Sequence, residues 1–392
     1  MRDPATVAVL DALEAAGGKD CARFVGGAVR NTLMGLPVAD VDIATTLTPP
    51  ASIAALEAVK IRVVPTGVEH GTVTAVRDHK PFEITTLRRD VETDGRRAVV
   101  AFTKDWAEDA QRRDFRLNAL YADRKGRVYD YVGGGVDDAR TGRVVFVGDA
   151  DTRIREDYLR ILRFFRFFAW YGEGAPDPEG LAACKRLKAG VAQLSAERVS
   201  KELMRLLQAP DPSPAMYFMD ASGVLAFAIA APVDLERFQA MVAIDADPEL
   251  RLSALLPDSP KTVVEIANGL RLSIAQRDRL EAAAHDIDLD LSPAQARAAI
   301  YRMGKQAFSD LVKRAWARTL SMSPQAQGLL DLASSWTPPQ FPLGGEDVMA
   351  LGVAKGPDVG RLLRETEDWW VAHDFPQDGA REKLAALVKA GA

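Results

Sequence analysis

The sequence predicts an α+β protein with a mixed α/β head over residues 1–150 and an all-helical remainder. Three observations lead there. In the head, short β-rich runs alternate with amphipathic stretches. From Arg153 onward, long Ala-, Leu- and Arg-rich segments put apolar residues at three- and four-residue spacing, and strand signals almost disappear. Finally, 392 residues that are 47% hydrophobic and 27% charged supply apolar material for about two to three domains.

The β-rich runs are Ala22 to Val25, Val41 to Ala44, Ile61 to Pro65, Thr72 to Val76 and Phe82 to Leu87, with helical stretches at Thr6 to Ala16 and Ser52 to Lys60. In the remainder, a Gly/Pro/acid loop at Gly172 to Gly180 and another at Pro210 to Pro214 punctuate the helices. A Pro-rich linker at Ser334 to Gly345 separates a final helical segment. The expected divisions are therefore 1–150, 151–210, 211–335 and 336–392.

A net charge of −5 gives no general attraction to nucleic acid, so polyanion binding would need a local basic face. The longest uncharged apolar stretch, Ala221 to Val233, is broken by Gly223 and Pro232 and is too short for a membrane span. Charged residues from Arg2 to Asp20 interrupt any secretory signal core. Cys21 and Cys184, the only cysteines, have neither paired nor metal-ligand spacing. A cytoplasmic, reducing location is expected.

The sharpest motif is Phe24-Val25-Gly26-Gly27-Ala28-Val29-Arg30, a strand ending in two glycines that open a helix. Glycines there let backbone N–H groups approach a phosphate, and Arg30 adds a charge. Downstream comes Asp40-Val41-Asp42-Ile43. Alternation along a strand puts both carboxylates on one face, with Val41 and Ile43 toward the core. Hard oxygen donors so placed suit Mg²⁺ brought in by a nucleoside triphosphate, although a solvated strand edge is the plainer reading of a lone Asp-x-Asp. Glu83, on the face opposite Phe82 and Ile84, is the candidate third carboxylate for a two-metal site; an exposed strand glutamate is the alternative.

These motifs are followed in order by Asp94-Gly95-Arg96-Arg97, Arg112-Arg113-Asp114-Phe115 with Asn118, Glu156-Asp157-x-x-Arg160 with Arg163, and Ala196-Glu197-Arg198-Val199. With Leu351-Gly352 to Val359-Gly360 near the end, they span most of the chain. The sequence resembles a bacterial class II member of the tRNA nucleotidyltransferase and poly(A) polymerase family. The resemblance implies a polymerase-β-like head, then a helical neck, body and RNA-contacting tail over the four divisions above. It implies catalysis by Asp40, Asp42 and Glu83, with Asp40 and Asp42 holding the metals. Gly26, Gly27, Arg30, Arg112, Arg113, Asp114 and Asn118 would bind the triphosphate and ribose, Asp114 accepting from a 2′-hydroxyl. The expected activity is addition of CCA to tRNA 3′ ends from CTP and ATP with Mg²⁺, the alternative being poly(A) synthesis. No protein partner is called for. Poly(A) polymerases of the family tend to carry basic extensions, and CC-only adders lack the segment that Arg88 to Phe102 supplies here, so full CCA addition is favoured.

The chemistry of Glu156-Asp157-x-x-Arg160 is direct. On one helix, Asp157 and Arg160 face the same way. Cytosine and adenine offer an amine donor beside a ring-nitrogen acceptor, whereas uracil and guanine offer a carbonyl beside an N–H. One carboxylate beside one guanidinium fits the first pair and opposes the second. An intrahelical salt bridge is the plainer reading and is compatible with it. Likewise, Arg112-Arg113-Asp114 could form a surface ion-pair cluster of little energetic weight. Arg153, Arg155, Arg163 and Arg166, followed by Lys185, Arg186, Lys188, Arg198, Lys201 and Arg205, which outnumber Glu197 and Glu202, form the expected basic neck, a solvated helix face being the alternative for any one of them.

Two positions depart from the family pattern: Asn31 replaces the usual Asp, which puts its contact in doubt, and Arg116 replaces a common Thr. Of the four histidines, at 70, 79, 285 and 373, none gives His285-Asp286 an upstream helical partner in its own domain, so no phosphohydrolase site is expected. Trp336, Trp369 and Trp370 are expected in the tail's core rather than on RNA.

Overall fold

The computed structural model describes residues 3–65, 67–94 and 97–391. The chain divides into two compact units, Met1–Ala230 and Ala231–Ala392.

In the first unit, Asp3 caps helix α1 (Pro4–Gly17) by accepting the Thr6 N–H at 3.1 Å, the preferred role of a short acidic side chain ahead of a helix. Strand β1 (Ala22–Val25) runs into Gly26 at φ 62°, a backbone state that favours glycine. That turn starts α2 (Gly27–Leu33). Next come β2 (Val41–Thr45), α3 (Pro49–Ala58), β3 (Arg62–Val64), β4 (Thr72–Arg77) and β5 (Lys80–Thr86). A separate hairpin, β6 (Arg88–Asp94) and β7 (Arg97–Phe102), leads to α4 (Trp106–Gln111), β8 (Leu120–Ala122), β9 (Val128–Asp130) and α5 (Gly135–Thr141). Gly95 and Arg96 of the family-like segment lie outside the described residues.

The main sheet has the order β3-β4-β5-β2-β1-β8-β9. Strands β2 and β5 pair in parallel, with Asp42 opposite Glu83 and Ile43 opposite Ile84; the other ladders are antiparallel. Ile43, Phe82 and Ile84 are buried. The pleat therefore turns Asp42 and Glu83 to the opposite face.

Helices α6 (Ala150–Glu156), α7 (Leu159–Tyr171), α8 (Pro178–Leu187), α9 (Ala196–Leu207), α10 (Ser213–Ala221) and α11 (Leu225–Ala228) complete the unit. Helix α7 buries Ile161, Leu162, Phe164, Phe165, Phe167 and Phe168, and Arg160, Arg163 and Arg166 recur every third residue outside that apolar surface. Phe115 packs its ring 4.9 Å from Phe146 and 5.2 Å from Phe167. This aromatic contact fixes the segment after Asp114 against α7.

The second unit is helical from Leu235–Ile244 to Ala380–Gly391 among the described residues. Its buried Arg314 and Arg237 donate to the carbonyls of Ser253 at 3.0 Å and Ala254 at 2.7 Å, near the end of helix Pro248–Leu255. Positive charge there complements the helix terminus. Trp370 is buried with Leu343, Val348 and Leu362, and Trp369 packs against that cluster while Trp336 packs against another.

The helical remainder and the five head strands occupy the predicted regions, with ends shifted by a residue or two. Strands β6 to β9 were not predicted. Both β8 and β9 span three residues, too few for an alternation signal.

Gly190 packs against Tyr158, just ahead of α7: a Cβ built on it would lie 2.0 Å from the Tyr158 ring. Gly190→Ala is expected to cost about 1–3 kcal/mol through overpacking and to lower the thermal unfolding midpoint. Gly269→Ala, where a Cβ meets nothing within 4 Å, should not.

Candidate active site

The site is assembled from the turn after β1, the paired strands β2 and β5, the segment 109–118 and helix α7. Asp42 is half-buried while Asp40, just before β2, and Glu83 are exposed. Burial, then the charges of Glu83 and Asp40, push the Asp42 carboxyl up to about 6. Among the described residues, no three His, Cys, Asp or Glu side chains form a closed metal-ligand set. Asp42 and Glu83 instead face one another across paired strands, with Asp40 nearby and the charges of Arg113 and Arg30 only partly offsetting the repulsion. Hard oxygen donors with positions left for substrate oxygens fit a divalent cation arriving with a triphosphate.

Beside this cluster lies the glycine turn. A Cβ on Gly26 would come 3.9 Å from Arg113 Nη1, and one on Gly27 would come 3.7 Å from Arg30 Nη2. Both arginines thus lie close to the turn's backbone. Arg30 is 6% exposed. Its Nη1 donates to Asn118 Oδ1 at 2.5 Å, and its Nε and Nη2 donate to Asn31 Oδ1 at 3.1 and 2.9 Å. The Asn31 amide in turn donates to the Pro37 carbonyl at 2.8 Å. Asn31 therefore makes a two-pronged contact with Arg30 without adding a negative charge.

The Arg-Arg-Asp run is not a surface cluster. Asp109, 1% exposed, accepts from Arg112 Nη2 at 2.7 Å, Arg113 Nη2 at 3.0 Å, the Tyr121 hydroxyl at 2.6 Å and the Arg88 backbone N–H at 3.1 Å. Burial opposes its charge, but Arg113 and Arg112 more than offset this and hold its carboxyl well below the usual range. Arg112 Nε also donates to the Arg88 carbonyl at 3.0 Å. The base of the β6–β7 hairpin is thereby tied to the arginine pair. Arg116 pairs with the buried Asp138 at 2.7 Å.

Asp114 differs from its sequence-predicted use. Its Oδ1 accepts from the Phe115 N–H at 2.9 Å and from Asn118 Nδ2 at 3.1 Å, while its Oδ2 accepts from Arg163 Nε at 2.8 Å and from Arg163 Nη2. Each oxygen accepts two hydrogen bonds, which fills the acceptor capacity of the carboxylate, so in this arrangement Asp114 orients Asn118 and Arg163 rather than offering a free acceptor to a ribose. Glu202 on α9 accepts from Arg166 Nε at 2.5 Å. Arg153 and Arg155 also have carboxylate partners, Glu156 and Asp151. The flanking arginines of the expected basic neck are thus paired; Lys185, Lys201 and Arg205 are exposed, as are Arg155 and Arg186, which both pair with Asp151.

Asp157 and Arg160 do not share a helix. Asp157 ends α6 in an extended conformation, φ −155° and ψ 107°, and α7 begins at Leu159. The physical reason is local: Asp157 Oδ1 accepts the Leu159 N–H at 3.0 Å, an alternative to helical pairing that short acidic side chains offer. The intrahelical bridge read from the sequence is absent. Asp157 Oδ2 instead accepts from Arg198 of α9 at 2.7 Å, and Arg160 donates to Glu156 at 2.5 Å, to the Arg153 carbonyl at 2.7 Å and to the Arg112 carbonyl at 3.3 Å.

Hydrogen bonds therefore run from Arg30, close to the Gly26–Gly27 turn, through Asn118 and Asp114 to Arg163, while Arg112 and Arg113 meet on Asp109 and Arg160 donates to the Arg112 carbonyl. Sequence reasoning missed Asp109, Tyr121 and Glu202. Asp109 carried a usable signal, since it stands three and four residues before Arg112 and Arg113.

Residues 22–145 match the family model described as the poly A polymerase head domain, and residues 175–230 match the probable RNA and SrmB-binding site of polymerase A. The human mitochondrial CCA tRNA nucleotidyltransferase 1 is 33% identical, covering 94% of this chain and 86% of that protein. The CCA-adding enzyme of Levilactobacillus brevis is 29% identical over 97% of this chain and 96% of its own. Among solved structures, the Bacillus stearothermophilus CCA-adding enzyme in complex with CTP superposes with a TM-score of 0.80 at 26% identity, covering 100% of this chain and 99% of that one. The Thermotoga maritima CCA-adding enzyme complexed with tRNA-CCA shares the fold, with a TM-score of 0.68 at 17% identity over 100% of this chain and 96% of that one.

Removing Asp109 leaves two guanidinium groups and a tyrosine hydroxyl without their acceptor. Asp109→Ala is expected to cost about 3–5 kcal/mol, read as a fall in urea midpoint. Asp109→Asn keeps an acceptor and should lose less.

Proposed function

The chain belongs to the tRNA nucleotidyltransferase family of CCA-adding enzymes, and from that premise we propose that it completes tRNA 3′ ends with C, C and A from CTP and ATP, without a nucleic-acid template. The reading rests above all on one contact, the 3.3 Å hydrogen bond from Arg160 to the Arg112 carbonyl. It joins the group that would read the base to the arginine pair that would hold the phosphates.

In this reading Gly26 and Gly27 admit the triphosphate to the turn backbone, and Arg30 and Arg113 supply positive charge beneath it. Asp114 keeps Arg163 and Asn118 oriented. Asp40 and Asp42 would hold Mg²⁺, with Glu83 beside them on the adjacent strand. Bound divalent ions supply charge neutralisation and activation of the attacking 3′-hydroxyl. The chain's own contribution is position: Asp42 and Glu83 come from adjacent parallel strands, so their separation is set by backbone hydrogen bonding rather than by loops, and Asp40 stands just before β2.

Asp157 as acceptor and Arg160 as donor match the Watson–Crick edges of cytosine and adenine and oppose those of uracil and guanine. Their separate partners matter here. Each Asp157 oxygen accepts one hydrogen bond, from the Leu159 N–H and from Arg198, which leaves acceptor capacity on the carboxylate for a base. Arg198 and Glu156 draw them apart, which supports their use as reading groups. The exposed Lys185, Lys201 and Arg205 would meet RNA phosphates, an electrostatic contact that salt weakens.

A poly(A) polymerase would use the same head, and one assay separates the two. Given a tRNA lacking CCA, the protein should add two residues from CTP alone and three with CTP and ATP together. Long A tails from ATP alone would overturn the reading. Asp42→Ala should reduce incorporation below detection while leaving tRNA binding, measured by filter retention, within about twofold.

A further inference from the structure

Arg30 stands apart from the other arginines of the site. Arg112 and Arg113 lean on Asp109, Arg160 on Glu156, Arg163 on Asp114 and Arg166 on Glu202. Arg30 is as buried as any of them, at 6% exposed, yet its hydrogen-bond acceptors are two neutral amide oxygens, those of Asn31 and Asn118. Among the described residues it has no ion-pair partner. A buried cation without an anion carries a desolvation cost that something must offset.

Asp114 and Asp42 favour its charge from beyond ion-pair distance, and the direct contact comes from α7. The Tyr171 ring centroid lies 3.8 Å from the Arg30 guanidinium carbon, and that of Phe167 lies 5.4 Å away. An aromatic face attracts a guanidinium electrostatically, and more strongly when water is excluded. Unlike a carboxylate, it does so without cancelling the charge. Tyr171 is the last residue of α7, and Arg160 is in its first turn. One rigid helix thus carries the base-reading guanidinium near one end and the support for the phosphate-side cation at the other.

We propose that Tyr171 is a positioning residue for triphosphate binding: its ring holds Arg30 beneath the Gly26–Gly27 turn with the positive charge left available to the substrate. The inference rests on the reading that this turn receives the triphosphate. Because the contact acts on phosphates and not on bases, its loss should affect CTP and ATP alike.

The test compares Tyr171→Phe, which keeps the aromatic face, with Tyr171→Leu, which removes it. Steady-state addition to tRNA lacking CCA, and to tRNA ending in CC, gives KM and kcat for CTP and ATP. Tyr171→Leu should raise both KM values about tenfold, with kcat within about twofold, and Tyr171→Phe should stay near the parent. Thermal unfolding of both variants confirms that they fold, and inhibition by inorganic tripolyphosphate reports the phosphate site without a base. Tripolyphosphate inhibition should weaken in Tyr171→Leu and in Arg30→Met. If Arg30→Met leaves that inhibition unchanged, the triphosphate reading of the turn fails. If Arg30→Met weakens it while Tyr171→Leu does not, the turn reading stands and the Tyr171 assignment is overturned. An equal loss in Tyr171→Phe, or a change confined to one nucleotide, also overturns it.

Discussion

Six arginines, 30, 112, 113, 160, 163 and 166, crowd the region between the sheet and α7, and the site depends on giving each a partner that fixes it without covering it. Guanidinium groups so close together repel one another, and burial strengthens the repulsion. The structure answers with carboxylates placed beneath or beside them: Asp109 for two, Asp114 and Glu202 for two more, Glu156 for the fifth. Such buried pairs are weak sources of stability, because desolvation consumes much of the attraction. Their value here is geometric. They hold donor groups in one orientation before a polyanionic substrate arrives, which lowers the reorganisation needed on binding.

The same economy governs the acidic half. Parallel pairing of β2 and β5 sets Asp42 beside Glu83, and burial with mutual repulsion makes Asp42 reluctant to ionise alone. A fold that places like charges so closely disfavours the empty state and favours a cation. Negative and positive clusters are then linked through the charges of Arg113 and Arg30, which act on Asp42. Net charge over the whole chain says little about such a site, since opposite charges are sorted into neighbouring regions rather than averaged.

Much of this was legible in sequence where local rules apply. The switch from alternating runs to three- and four-residue spacing located the helical remainder, and the pleat rule put Glu83 on the face opposite Phe82 and Ile84. Legibility failed where a side chain answers to something distant. Asp157 and Arg160, three residues apart, read as one helical pair, but Arg198 reaches Asp157 from 41 positions away and the Leu159 N–H breaks the helix locally. Asp114 looked like a ribose acceptor because its engagement by Arg163 comes from another element, 49 positions on. Asp109 was within reach of sequence logic, being on the helical turn just before the arginines. Tyr171 was not, because nothing local marks a ring as the support for Arg30.

The central claim is that protein side chains, held apart by Arg198 and Glu156, choose the incoming base. Its most direct test is nucleotide choice by Asp157→Asn, measured as single-nucleotide addition rates with CTP, ATP, UTP and GTP. The amide oxygen can keep the Arg198 hydrogen bond while the NH2, which gives up the Leu159 N–H contact, donates where the carboxylate accepted. The account predicts that discrimination against UTP and GTP falls by about tenfold or more, with the protein folded and tRNA binding retained. Undiminished preference for CTP and ATP in that variant would contradict it.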